Sequence, residues 1–204
     1  MDKDLNGRVQ SVDRAMNLLE VLGAEGGGQR LTDLSRTTGL SLTTVHRLLT
    51  TLEQRRFVHF SAADSLWRIG PQAYVVGSAF VRDRTFVAPA LPFLRRLRDQ
   101  TRETANLGVV EDGEIVLVNQ ITSREITRAI SRVGGRTPMT ASGMGKAVLS
   151  CYSPDDVSAL LRRRAMRKIT NKTLTSRDAL ERELADARAN GYSVDDEEFL
   201  PGLR

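Results

Sequence analysis

Apolar residues recur at helical spacing three times in the first 60 positions. The first run starts at Ser11, which is placed to cap a helix, and ends at Ala24 before three consecutive glycines. Its apolar positions are Val12, Ala15, Met16, Leu18, Leu19 and Leu22. This spacing predicts an amphipathic helix with one buried stripe.

Two shorter helices are predicted next. Thr32 can cap the first of them, Asp33 suits its first turn, and Gly39 supplies the left-handed backbone that ends it. The following helix buries Val45, Leu48, Leu49 and Leu52. Its spacing leaves Thr44 and Arg47 on another face. Helix, tight turn and helix is the arrangement of a helix-turn-helix motif.

After Arg56 the pattern changes to two short strands, residues 57–60 and 66–69, with a turn-like stretch at 62–65 between them. Three helices followed by a hairpin predict a winged helix-turn-helix.

Residues 71–102 are again helical in pattern and contain Pro89 and Pro92. Two compatible interpretations are a capping helix for the next domain and a linker helix used in dimerisation.

The remaining chain predicts an α+β domain. Asp112-Gly113 between two apolar runs indicates a hairpin. Residues 126–133 alternate as a strand does, and residues 134–138 are expected to form a loop. Helices are expected over Gly143–Ser150, after the Ser153-Pro154 cap, and from Ser176 to Asn190, with a strand beginning near Tyr192.

Composition narrows the class of protein. The formal net charge of +5 is a weak indication of an anionic partner. No apolar run is long enough to span a membrane, and the first residues lack the apolar core of a signal peptide, so we expect a cytoplasmic protein with no membrane partner. Cys151 is the only cysteine, which excludes an internal disulfide.

The helix after Gly39 carries the strongest candidate chemistry. Its first turns present Ser41, Thr43, Thr44 and Arg47. Hydroxyls and helix N-terminal amides suit phosphate oxygens, and arginine suits a guanine edge. The alternative for each residue alone is a capped, solvated helix. The assembled pattern favours DNA binding, with His46 as a helix-surface or semi-buried residue rather than a base-contacting one.

The small residues around Gly143 and Gly145 indicate a second candidate site. Backbone amides at such a helix start attract an anion such as a small carboxylate. The alternative is a glycine loop that packs a helix on a sheet. Lys146 either attracts the anion or lies on the surface.

An enzyme is the competing class. His46 and His59 are the only histidines, and both precede the second half of the chain, which leaves Cys151 and its serines without a histidine base. Asp155 with Asp156 and the acids at 195–198 alternate faces, which disfavours a metal site. Neither a cofactor motif nor a nucleotide-binding fingerprint is present. We expect no enzymatic activity and no cofactor.

The segments "QSVDRAMNLLEVL", "LTDLSRTTGLSLTTVHRLLTTLEQRRFV" and "WRIG" resemble, in order and spacing, the IclR family of bacterial transcriptional regulators. The resemblance implies a winged helix-turn-helix over residues 8–70 and a linker and dimerisation helix over 71–102. It implies a repressor that binds double-stranded operator DNA as a homodimer or tetramer. Thr43, Thr44 and Arg47 match DNA-contacting positions.

Residues 103–204 resemble the GAF-like effector-binding domain of that family through "TASGMGKAVL" and "ARANGYSVDDEEFLPGL". The details are most similar to the allantoin-utilisation repressors that respond to glyoxylate. This resemblance implies that Ser142, Gly143, Met144 and Asp195 face the effector. Thr140 departs from the histidine that is frequent at its position.

Family members continue past the position of Gly202, so the resemblance implies a truncated, incomplete effector domain. The expected function is operator binding modulated by a small carboxylate such as glyoxylate. The alternatives are a constitutive DNA-binding remnant with a non-functional sensor, and a ligand-binding or dimerisation module without regulation.

Overall fold

The computed structural model describes residues 7–24, 26–123 and 132–203. The chain divides between Arg84 and Thr85 into two compact units. We call them the N-terminal unit and the C-terminal unit. No helix among the described residues combines the length and the apolar character needed to cross a bilayer.

The N-terminal unit begins with three helices: α1 (Gln10–Ala24), α2 (Leu31–Thr38) and α3 (Leu42–Gln54). Two predicted caps were wrong. The carbonyl of Val9 accepts the amides of Val12 and Asp13, so α1 has already begun before Ser11. Likewise α2 begins at Leu31, and its N-cap is Arg30 without a side-chain hydrogen bond.

The predicted apolar stripes form the core of the N-terminal unit. Its buried members are Leu18, Leu22, Leu34, Val45, Leu49, Leu52, Val58 and Trp67. The tight turn after α2 depends on Gly39, whose φ of 70° is the left-handed conformation that glycine adopts without strain. The turn allows α3 to pack its stripe against α1 and α2.

The predicted wing is confirmed as an antiparallel pair, β1 (Val58–Ser61) and β2 (Leu66–Ile69). Phe60 lies opposite Trp67, with ring centroids 5.1 Å apart. Gln29 exchanges two backbone hydrogen bonds of 2.9 Å with Trp67. The wing is therefore fastened to the segment that precedes α2.

The predicted helical stretch at 71–102 consists of two helices, α4 (Pro71–Arg82) and α5 (Val87–Thr101). Pro92 lies inside α5. α4 contains no buried residue and belongs to the N-terminal unit, whereas α5 packs on the sheet of the C-terminal unit. The role of this stretch as a linker stays a prediction.

The C-terminal unit contains an antiparallel sheet in the order β3 (Ala105–Glu111), β4 (Glu114–Ile121) and β5 (Arg136–Pro138). Asp112 and Gly113 have φ values of 51° and 73°, as a two-residue hairpin turn requires. The loop expected at 134–138 was wrong in part, because Arg136–Pro138 pairs with β4. The strand predicted over 126–133 lies mostly outside the described residues.

Three helices complete this unit: α6 (Gly143–Ser150), α7 (Pro154–Arg163) and α8 (Arg177–Asn190). Ser142, Ser153 and Ser176 cap them through their side chains. Their apolar faces pack with Ile115 and Met139 in a second core. Helices on an antiparallel sheet confirm the predicted α+β class.

The strand expected near Tyr192 was wrong. The carboxylate of Asp195 accepts hydrogen bonds from the amides of Glu198 (2.8 Å) and Phe199 (3.4 Å). A side chain that bonds its own following backbone curls the chain into a turn. Residues 192–195 are therefore irregular, and residues 196–200 form a bend.

Candidate DNA interface and ligand site

The first turn of α3 is held by its own hydroxyls. Ser41 Oγ accepts the amide of Thr44 at 3.3 Å and lies 2.9 Å from the Thr44 hydroxyl. Two of the four predicted DNA-contacting side chains are thus bonded to each other. This cap orients the remaining amides of the turn outward.

Thr43 and Arg47, the other two, are exposed one helical turn apart. Neither side chain makes an ion pair or hydrogen bond within the described part of the chain. The buried side of α3 faces the core through Val45, Leu49 and Leu52. The N-terminal half of α3 therefore presents a hydroxyl and a guanidinium to solvent from a rigid helix.

A cleft of about 510 Å³ lies between α3, the start of α2 and the wing. His46, Thr50 and Glu53 line it from successive turns of α3. Glu53 Oε1 accepts the amide of Phe60 at 2.9 Å, which ties the recognition helix to the wing. Thr50 and Glu53 were not among the predicted site residues, although their spacing places them on the same helix face as His46.

The wing also carries a bidentate ion pair. Arg68 Nη1 and Nη2 donate to the two carboxylate oxygens of Asp64 at 3.1 and 2.5 Å. The hydrogen bond from Arg68 holds the pKa of Asp64 well below its ordinary value. The same bond raises the pKa of Arg68. This pair joins the turn of the wing to its second strand.

The predicted effector residues in the C-terminal unit meet at the start of α6. Ser142 is buried; its hydroxyl donates to the carbonyl of Pro138 at 2.9 Å and accepts the amide of Gly145 at 3.1 Å. Gly143 and Met144 follow as the first helical residues. Their amides belong to the first turn, which has no acceptor of its own inside the helix.

Asp195 lies beside this helix start. The Ser193 hydroxyl donates to the carbonyl of Gly143 at 2.5 Å. A Cβ at Gly143 would lie 3.6 Å from the amide nitrogen of Asp195. Residues 193–195 therefore run along the beginning of α6, and the structure brings the four predicted residues together.

Lys146 was predicted either to attract the anion or to lie on the surface. Neither prediction was correct, because its side chain is fully buried. Its ammonium pairs with Glu198, which is also buried, and with Glu183 at 3.3 Å. The prediction was wrong because the partner Glu198 stands 52 residues further along the chain. Local spacing carries no sign of such a pair.

Metal ligands do not cluster in the described residues: no group of three or more histidine, cysteine, aspartate or glutamate side chains is suitably placed.

A winged helix-turn-helix with an exposed polar recognition helix, joined to a separate α+β unit, defines a DNA-binding regulator. The family "Bacterial transcriptional regulator IclR C-terminal" matches residues 79–204, and the "IclR helix-turn-helix domain" matches residues 11–61. The chain belongs to the IclR family. Membership confirms the prediction of a DNA-binding transcriptional regulator rather than an enzyme.

Curated relatives match over almost the whole chain. The acetate operon repressor of Salmonella typhimurium is 40% identical over 202 residues, which are 98% of this chain and 74% of that protein. The repressor AllR of Klebsiella pneumoniae is 34% identical over 194 residues, 95% of this chain and 71% of that protein.

Among solved structures, an IclR homolog from Microbacterium hydrocarbonoxydans in complex with 4-hydroxybenzoate has a TM-score of 0.77 and 25% identity. The match covers 94% of this chain and 79% of that chain. Because relatives with different names match over similar lengths, the effector does not follow from family membership.

Proposed function

We propose that this protein is a repressor that binds operator DNA through α3 as a homodimer, or as a tetramer built from such dimers, and that a small carboxylate modulates this binding. One observation carries the proposal. The start of α3 is capped by Ser41 and backed by an apolar core, and it presents the side chains of Thr43 and Arg47 without partners among the residues that the structure describes. Such a helix end is prepared for contacts with another molecule.

In this proposal α3 lies in the major groove. Arg47 donates two hydrogen bonds to a guanine edge, and Thr43 with the amides of the first turn contacts phosphate oxygens. Ser41 and Thr44 hold the turn in place and reach the DNA backbone through their hydroxyl pair. A dimer would place two such helices about 34–36 Å apart, or a multiple of that distance, on one side of the duplex.

The exposed apolar side chains of α4 favour dimerisation. Tyr74 is 80% exposed, and Val75 and Val76 are each more than half exposed. Three consecutive, mostly exposed apolar side chains on one helix favour an interface with another protein. We infer that a second copy of the chain covers it.

The effector site of the proposal is the start of α6. The amides of Gly143 and Met144 bind the carboxylate, while Asp195 accepts a hydrogen bond from a hydroxyl of the ligand. Hydrated glyoxylate carries both groups. A related protein binds 4-hydroxybenzoate, which also combines a carboxylate with a hydroxyl. Coupling between such a ligand and DNA is typically about 1–3 kcal/mol.

DNA binding is tested by fluorescence anisotropy with the DNA upstream of the protein's own gene. Loss of a bidentate base contact costs about 1–3 kcal/mol, so Arg47→Ala should weaken binding roughly 5- to 150-fold. Arg55→Ala is the matched control, because Arg55 is also exposed but stands at the other end of α3. Equal binding by both variants and the wild type would contradict the proposed reading helix.

Glyoxylate is then titrated into the preformed complex. A change in DNA affinity that Asp195→Asn weakens supports the effector site, since the substitution keeps the Oδ1 acceptor of the turn while removing the charge. DNA binding that ignores glyoxylate in the wild type would contradict the effector part of the proposal and leave a constitutive DNA-binding protein.

A further inference from the structure

A second cleft in the C-terminal unit has the composition of a ligand site. Its volume is about 380 Å³, and it lies between the β3–β4 turn, β5 and the chain that follows α7. Met139, Leu160, Ile169 and Phe199 supply apolar surface to it. Pockets of this size with apolar walls and a few polar groups are typical of small-molecule sites.

Three guanidinium groups line this cleft, which we call the arginine cleft: Arg136, Arg164 and Arg167. Glu114 is the acidic residue of the lining. Its carboxylate lies 3.2 Å from Arg136 and 3.7 Å from Arg164. Asp112, on the neighbouring turn, pairs with Arg164 at 2.5 Å. The two carboxylates therefore compensate the first two arginines.

Arg167 is the third arginine of the cleft. It is exposed, and its side chain forms no ion pair or hydrogen bond with the residues that the structure describes. The arginine cleft thus combines one uncompensated guanidinium with four apolar side chains. A guanidinium binds a carboxylate through two parallel hydrogen bonds, and the apolar side chains can contact an apolar body.

We propose that the arginine cleft binds a small organic monocarboxylate with an apolar body, at a site separate from the start of α6. The separation follows from the residues involved. Gly143, Met144 and Asp195 are absent from the lining of the arginine cleft. The segment 138–140 lines the arginine cleft, whereas Gly143 and Met144 begin the helix that faces residues 193–195. The inference concerns ligand binding alone and does not depend on repression.

The test is isothermal titration of the full chain with benzoate as the probe. Removal of one charge-assisted contact should weaken benzoate binding about 10-fold or more in Arg167→Gln. Arg162→Gln is the matched control: Arg162 is another exposed arginine, on α7, and it does not line the cleft. Gly143→Pro removes one of the two amides proposed to bind a carboxylate at the start of α6 and places proline at the first helical position, and it should bind benzoate as the wild type does.

Three results would overturn the assignment. They are the absence of benzoate binding to the wild type, unchanged affinity in Arg167→Gln, and loss of binding in Gly143→Pro alone, which would place benzoate at the start of α6. A crystal soaked with 4-iodobenzoate supplies an independent readout, because the anomalous signal of iodine must fall within the arginine cleft. None of these measurements involves DNA, so their failure would leave the repressor proposal intact.

Discussion

The two units differ in what they bury. In the described part of the N-terminal unit the buried polar side chain is Gln29, which donates to the carbonyl of Val21 at 3.1 Å, and the rest of the core is apolar. The C-terminal unit buries an ammonium, Lys146, against a carboxylate, Glu198. One unit hides only neutral groups, whereas the other hides a charge pair.

This difference implies that different interactions fix the positions of the elements in the two units. The hydrophobic effect is non-directional, so any apolar neighbour can cover an apolar side chain. A buried charge, by contrast, requires an oppositely charged partner at a defined position. Lys146 sits on α6, and Glu198 follows the residues that run along the start of that helix. The pair therefore holds the predicted ligand segment against α6 in the C-terminal unit.

The largest effect is expected for Lys146→Met. The substitution leaves the buried carboxylate of Glu198 without its partner, and breaking a buried pair costs about 3–5 kcal/mol. Unfolding of the two units by urea can be followed separately, because the only tryptophan, Trp67, is buried in the N-terminal unit and reports on that unit through its fluorescence. We expect the far-ultraviolet circular dichroism transition to shift in its C-terminal component while the Trp67 fluorescence transition stays in place.

The double variant Lys146→Met with Glu198→Leu is the control for this change. Replacement of both charges by apolar groups is frequently neutral, so the double variant should recover most of the lost stability. Glu183→Ala should cost less than about 1 kcal/mol, because the Glu183 side chain is 43% exposed. If Lys146→Met lowered the free energy of unfolding as little as Glu183→Ala does, the buried charge pair would not be a source of stability particular to the C-terminal unit.

Gly145→Ala is expected to rank next, again in the C-terminal unit. A Cβ at Gly145 would lie 2.3 Å from the Cα and carbonyl oxygen of Met139, so backbone must move. Overpacking of this kind costs about 1–3 kcal/mol. Gly143→Ala, two residues earlier on α6, would meet its nearest atom at 3.6 Å and should be tolerated. Comparable losses in the two variants, measured by urea unfolding, would contradict this close approach.

The same contrast explains what the sequence could predict. In the N-terminal unit each element is short and regular, and its neighbours follow along the chain. The stripe of α3, the stop at Gly39 and the wing were therefore readable from spacing. The misplaced caps at Ser11 and Thr32 concern only one or two residues, because helix starts depend on backbone geometry as well as on residue type.

In the C-terminal unit the helices α6, α7 and α8 and the Ser153 cap of α7 were equally readable, whereas the contacts between distant segments were not. Arg136–Pro138 is a strand because β4 lies beside it. Lys146 is buried because Glu198 approaches from 52 residues away. The arginine cleft collects residues from four separate segments, 113–114, 136–140, 160–169 and Phe199, which spacing along the chain does not bring together.

Two matched helix caps, one in each unit, allow a smaller loss of stability to be compared between the units. Ser41 caps α3 in the N-terminal unit, and Ser153 caps α7 in the C-terminal unit, each through its hydroxyl. Loss of an N-cap hydroxyl costs about 1 kcal/mol. Ser41→Ala should lower the Trp67 fluorescence midpoint, whereas Ser153→Ala should leave it unchanged and lower the other component. A shift of the Trp67 transition in both variants would show that the units unfold together.

The smallest effect concerns the exposed pair of Asp64 and Arg68 in the wing. Because Arg68 holds the pKa of Asp64 below its ordinary value of about 3.9, the folded state binds the proton less tightly than the unfolded chain does. The stabilisation is therefore fully present above about pH 4 and is lost as the pH falls through the folded pKa. Both side chains are exposed, so salt should weaken it. Carbon-detected NMR of the Asp64 carboxyl should show titration at unusually low pH, and Arg68→Gln should raise the pKa of Asp64 toward its ordinary value, while the hydrogen bonds from Ser61 and Leu66 remain. An unchanged titration in Arg68→Gln would mean that the pair is not populated in solution, and the wing would then depend on the pairing of its strands, the Glu53–Phe60 hydrogen bond and the Gln29–Trp67 contacts.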